Sequence, residues 1–128
     1  MRMLLDTSVL IDALRSRRAR RAWLAELVRN GHSLETSAWN VAEVYAGMRP
    51  EEEERTKVFL GALLCHPITA SAGERAGRLK NQWARIGRTL TLADTMVAAI
   101  AIEQKCVLVT DNRKDFPMPQ VRLYDLPN

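Results

Sequence analysis

Short apolar runs of strand length alternate along this chain with longer stretches of helical period, and no other feature restricts its fold as much. Residues 3–5 form the first run, Asp6-Thr7-Ser8 breaks it, and an apolar helical stretch resumes over residues 9–14. In residues 19–29, Ala22, Trp23, Leu24, Leu27 and Val28 recur at helical spacing until Asn30-Gly31 stops them. "SLET" reads as a short strand, and "SAWNVAEVYAGM" as a helix capped by Ser37 and ended by Gly47 and Pro50. A helix is expected from Glu51 to about Leu64, an edge strand at "HPIT", where Pro67 is tolerated, and a helix from Ser71 to about Ile86. Residues 92–104 are apolar nearly all round, which predicts a buried helix. "CVLVT" has the β-branched character of a central strand, "DNRKDF" that of a loop or single helical turn, and "VRLYDL" that of a last strand. Strands separated by helices predict an α/β domain whose mainly parallel central sheet, of four to five strands, is flanked by helices.

A chain of 128 residues, 47% hydrophobic and 27% charged, suits one core, so residues 1–128 are expected to form a single domain. The longest apolar run, "MVAAIAI", has seven residues, too few to span a membrane, and Asp6 interrupts the N-terminal run that a signal peptide would need. Cys65 and Cys106 match no metal spacing and sit in apolar surroundings, where cysteine is a small hydrophobe. These features together imply a reducing, cytoplasmic setting. The net charge of +4 is modest, but "RSRRARR" places five arginines in seven positions, and Arg113-Lys114 add to them. Such a surface suits a polyanion. It could equally be a solvated helix face balanced by the acidic run Glu51, Glu52, Glu53 and Glu54.

The acids carry the functional signal. Asp6 and Asp111 each follow a strand directly, so both should project from carboxyl ends of one parallel sheet, where ligands of open α/β sheets bind. Glu43 lies between Val41-Ala42 and Val44-Tyr45 on a helix, and Asp94 stands in the first turn of the most apolar helix. A carboxylate set into apolar surroundings costs several kcal/mol unless its charge is matched. If the four converge, their repulsion calls for a hard divalent cation. Taken singly, each has an ordinary explanation. Asp94 with Thr91 approximates a capping box, Asp111 could close a turn through its own backbone, and Glu43 could face solvent. One metal site accounts for all four positions at once.

"LLDTSVLIDAL", "TSAWNVAEVYAGM", "RTLTLADTMVAAIA" and "VLVTDNRKDF", in this order and spacing, resemble the PIN domain, and specifically the VapC toxins of type II toxin-antitoxin pairs. The resemblance covers nearly the whole chain. It implies a ribonuclease that uses magnesium or manganese, inhibits growth or translation, forms a homodimer, and is held in check by a cognate antitoxin. Asp6, Glu43 and Asp94 match the family's carboxylate positions; the fourth falls at Asp111, with Asn112 and Asp115 as further candidates. Ser8 and Thr110 match small hydroxyl positions that support the first and last acids.

On this reading Asp6 and Asp94 are direct metal ligands, while Glu43 and Asp111 complete the shell or orient the attacking water. His32, in a turn, and His66, before Pro67, are expected to be structural or exposed. Arg15, Arg17, Arg18, Arg113 and Lys114 are the expected contacts to the RNA backbone, which give affinity without choosing sequence. Trp23, Trp39 and Trp83 could stack bases, but Trp23 and Trp39 sit on apolar helical faces and suit core or interface positions better. Two other functions fit the same residues: another metal-dependent phosphoesterase, such as a DNA nuclease or phosphatase, and a non-catalytic RNA-binding α/β module whose acids are caps and turns.

Overall fold

A computed structural model describes residues 1–127 of the chain, so only Asn128 of the expected domain lies outside the described residues. Four strands, β1 (Arg2–Leu5), β2 (Ser33–Ser37), β3 (Leu64–His66) and β4 (Val107–Val109), form one sheet in the order β3-β2-β1-β4, and every pairing is parallel. Six helices connect them: α1 (Thr7–Leu14), α2 (Arg20–Arg29), α3 (Ala38–Ala46), α4 (Glu53–Gly61), α5 (Ala70–Arg85) and α6 (Leu92–Gln104). Two short 3-10 turns, Pro50–Glu52 and Arg113–Asp115, complete the described elements.

The strand alternation assigns the two faces. Leu4 and Leu108 point into a cluster with Ala72, Ala76 and Leu79 of α5 and the buried residues of α6. Met3, Leu5 and Val109 point the other way, onto Val9, Leu10, Leu24, Leu27 and Leu60 of α1, α2 and α4. The all-round apolar character of α6 is explained by its position: every residue from Thr95 to Ala101 is buried.

Four local expectations change. The helix expected to reach Leu64 stops at Gly61, because Leu64, Cys65 and His66 pair with Glu35, Thr36 and Ser37 as β3. The "HPIT" strand is therefore displaced toward the N-terminus and ends where Pro67 has no N–H to give. The "CVLVT" run is an outer strand of the sheet, not a central one. "VRLYDL" contributes only an isolated bridge, Leu108 to Leu123, in which Leu108 N–H donates to the Arg122 carbonyl at 2.8 Å and Tyr124 N–H to the Leu108 carbonyl at 2.9 Å. That tail covers the open side of β4. Cys106 is buried as expected, whereas Cys65 is exposed on the edge strand; both are free thiols. No helix among the described residues is long and apolar enough to cross a membrane.

Candidate active site

The sheet order fixes where a ligand can enter. The chain winds outward from β1 to β2 and β3, then returns to place β4 on the opposite side of β1, so the winding reverses between β1 and β4. Connections diverge there and leave a crevice at the carboxyl ends of the two strands. Asp6 follows β1 and Thr110-Asp111 follow β4 at that point, and Asp6 N–H donates to the Val109 carbonyl at 2.9 Å.

Asp6 is only 8% exposed and is held by three donors. Its Oδ1 accepts from Thr7 N–H at 2.9 Å, which caps α1, and from Asn40 Nδ2 at 3.4 Å. Its Oδ2 accepts the Thr110 hydroxyl at 2.6 Å. Thr110 is itself oriented, since its Oγ1 accepts from Asn112 N–H at 3.0 Å. Burial pushes the Asp6 carboxyl above its usual range despite these donors, and the nearby charge of Glu43 adds to the effect.

Glu43 arrives through α3. Ser37 caps that helix by accepting from Asn40 N–H at 3.3 Å, and its hydroxyl donates to Asn40 Oδ1 at 2.6 Å, which turns the Asn40 amide toward Asp6 and Thr7. Three residues on, along the same helical face, Glu43 Oε1 accepts the Thr7 hydroxyl at 2.7 Å. Asp94 stands in the first turn of α6, where its N–H donates to the Thr91 hydroxyl at 3.1 Å. The cap that could explain Asp94 by itself is thus present, and it leaves the half-buried carboxylate beside other acids. Burial raises the Asp94 carboxyl above its usual range, with the charges of Asp115 and Asp6 adding to it.

Asp111 has a different environment. Its Oδ1 accepts from Arg20 Nη2 at 2.7 Å and Arg18 Nη1 at 3.1 Å, and its Oδ2 lies 3.5 Å from the Ser8 hydroxyl. The hydroxyls therefore cross over: Thr110 of the β4 end serves Asp6, and Ser8 of α1 reaches Asp111. Asp115, in the 3-10 turn that follows, is the acid of this loop whose charge acts on Asp94.

The arginine run divides in the same way. Arg15 is committed to Glu52, through contacts of 3.1 Å from Nε and Nη2, and Arg20 is buried. Arg17 and Arg18 face outward. Arg113 pairs with Asp125 at 3.1 Å, and Lys114 is exposed. Trp23, Trp39 and Trp83 are each half-buried against the two cores.

Thr7 and Asn40 carry no expected role in the sequence, although Asn40 and Glu43 stand three apart on one helix face, which was the available signal. A second group, Glu35, His66 and Cys106, was also missed. All three are buried, and their ligand-type atoms lie within 4.8 Å of one another. Arg2 occupies both Glu35 oxygens, at 3.0 and 2.9 Å, and His66 Nε2 lies 2.6 Å from Oε1. The Arg2 guanidinium balances the Glu35 charge without a metal ion, so the group serves as an ion pair buried within the sheet.

Chemically, the charge of Glu43 acts on Asp6 and those of Asp6 and Asp115 act on Asp94, so carboxylate oxygens line the crevice, and burial with this repulsion holds the Asp6 and Asp94 carboxyls above their usual range unless a cation intervenes. Such a set fits a hard divalent ion.

The PIN domain family profile matches residues 3–119. Ribonuclease VapC19 of Mycobacterium tuberculosis is 32% identical over 115 residues, covering 90% of this chain and 92% of that protein. A toxin-antitoxin complex from Klebsiella pneumoniae contains a chain 28% identical, with a TM-score of 0.78 and coverage of 97% and 99% of the two chains. The fold is also that of VapBC2 from Rickettsia felis, bound there to a promoter DNA fragment, with a TM-score of 0.86 at 22% identity over 99% of this chain and all of that one. The chain therefore belongs to the PIN-domain family, in its VapC branch.

Proposed function

We propose that this protein is a metal-dependent endoribonuclease that acts as the toxin of a cytoplasmic toxin-antitoxin pair. The observation that carries the reading is the delivery of Asp6, Glu43 and Asp94 from three separate elements to the strand crevice, with Asp115 beside them. Asp6 and Asp94 are the residues suited to hold magnesium or manganese, an ion that supplies Lewis acidity and an activated water when bound. The other roles fall to the chain itself. Thr110 and Asn40 fix the orientation of Asp6, and Thr7 fixes Glu43 through Oε1, leaving Oε2 to accept a proton from the attacking water. Arg17 and Lys114, with outward-facing side chains, offset the repulsion between the acids and the RNA backbone.

The antitoxin reading is supported by the Klebsiella pneumoniae relative, which occurs in a toxin-antitoxin complex. A recess between α2, β2 and α4, lined by Leu24, Val28, Leu34, Phe59 and Leu63, offers an apolar seat for a partner helix. A homodimer follows from the family.

Cleavage of a mixed RNA pool tests the enzymatic reading, with manganese or magnesium, with EDTA, and with Asp94→Asn. Residues that merely support metal ligands cost roughly 10–100-fold when removed, so loss of a ligand should cost more than about a hundredfold. RNA that binds and stays whole under every metal would leave only a binding module; cleavage of DNA in preference to RNA would point to a different phosphodiesterase.

A further inference from the structure

The connector between α1 and α2 holds most of the unusual backbone in the described residues. Ser16, Arg18 and Ala19 adopt left-handed φ values of 54°, 52° and 53°, and Lys105 is the one other non-glycine residue with positive φ. Such conformations persist outside glycine only where surrounding contacts over-determine them. Here the contacts join arginine to acid. Arg20 and Arg18 both donate to Asp111 Oδ1, and both guanidinium groups reach Asp12 Oδ2, at 4.0 and 3.9 Å.

The two arginines are held very differently. Arg20 is 2% exposed, makes the shorter bond to Asp111, donates to the Pro127 carbonyl at 3.2 Å and lies over the Trp23 ring at 5.9 Å. Arg18 is 60% exposed, and its bond to Asp111 is longer, at 3.1 Å. A solvent-exposed pair of this kind is weak and readily exchanged. A phosphate oxygen pair matches the guanidinium fork better than a carboxylate oxygen already occupied by a second arginine.

We propose that Arg20 is the permanent anchor of Asp111, and that Arg18 is an exchangeable arm that leaves Asp111 to take a backbone phosphate of the bound RNA. The inference rests on the ribonuclease reading above. Asp111 then acts as a positioning residue: it is the partner of Arg20, and it fixes the neighbouring Thr110, whose hydroxyl holds Asp6.

The test is metal-free binding of a single-stranded RNA oligonucleotide in EDTA across a salt series, using the full chain. Each phosphate contact contributes about 0.7 to the slope of log affinity against log salt. Arg18→Gln should lower the slope by about that amount. Arg29→Gln, at the far end of α2 and about 14 Å along the helix from Arg20, should change it by less than about a third as much. Arg20→Gln should lower the melting temperature, Arg20→Lys should lower it less, and Arg18→Gln should leave it unchanged. If wild type binds RNA and Arg18→Gln behaves like Arg29→Gln, the exchange is overturned while the ribonuclease reading stands. If Arg20→Gln melts with wild type, the anchor is overturned. If wild type neither binds nor cleaves RNA, the ribonuclease reading fails and the exchange fails with it.

Discussion

Glu35→Gln gives the sharpest test of how the sheet is held together. Glu35 is fully buried in β2, and the Arg2 guanidinium and His66 outweigh its burial, holding its carboxyl at about 2 against an ordinary 4.5. At about 1.4 kcal/mol per pH unit, that interval is worth at most about 3 kcal/mol. Arg2 is 45% exposed, so solvent screening brings the expected value to roughly 2–3 kcal/mol. The sign follows from the direction. A depressed folded pKa contributes stability that is fully present above the unfolded value and is lost as pH falls through the folded one. Glu35→Gln should therefore melt roughly 6–12 °C below wild type near neutral pH. The gap should close between about pH 4.5 and pH 2. Glu52, also held at about 2 by Arg15 and the Arg49 N–H, titrates in the same window, so the wild-type curve alone cannot isolate Glu35. Subtracting the variant's curve removes that contribution. Denaturant melts at a series of pH values supply both curves. A gap that stays constant down to about pH 2 would refute the assignment of the stabilisation to the Glu35 charge.

Further predictions concern the crevice and connector. Thr110→Val leaves Asp6 Oδ2 buried without its donor, and should cut metal-dependent cleavage roughly 10–100-fold with smaller effects on RNA affinity, read as kcat against KM. Magnesium or manganese should raise the melting temperature of wild type, because it binds the folded chain, and Asp94→Asn should abolish that rise in a scanning-calorimetry titration. Asp111→Asn should weaken the Arg20 contact and lower the melting temperature, whereas Asp115→Asn should chiefly lower metal affinity, measured by titration calorimetry. Ser16→Gly should stabilise the fold by up to about 1 kcal/mol in denaturant melts, since glycine takes the left-handed backbone without a steric cost.

Much of the fold was legible because its signals are local. Asp6 announces itself as a charge breaking an apolar strand, and the Ser37 and Thr91 caps mark where α3 and α6 start. What stayed hidden depends on partners distant in sequence. "SLET" gives no hint that Glu35 points inward, because the residues that neutralise it, Arg2 and His66, lie 33 and 31 positions away. "RSRRARR" reads as a uniform basic surface, yet left-handed turns sort it: Arg15 goes to Glu52, Arg20 to Asp111, and Arg21 to the carbonyls of Ala13 and Leu14. The placement of β4 was equally obscure. A Val-rich strand covered on its outer side by a bridged tail is as apolar as one inside a sheet. The same holds for Asp111, which follows its strand directly and gives no sign in the sequence of the two arginines, Arg18 and Arg20, that reach it.

The short β3 and the tail along β4 govern how this protein can assemble. β3 has three residues and ends at Pro67, while β4 gives its outward bonds to Arg122 and Tyr124. An unprotected strand edge invites any extended chain to add to it through main-chain bonds, whatever its sequence. This sheet offers little such template on either side. Association must instead be read out through helix faces and side-chain charge, which depend on sequence, so each partner has to carry the matching residues and unrelated chains find little to grip.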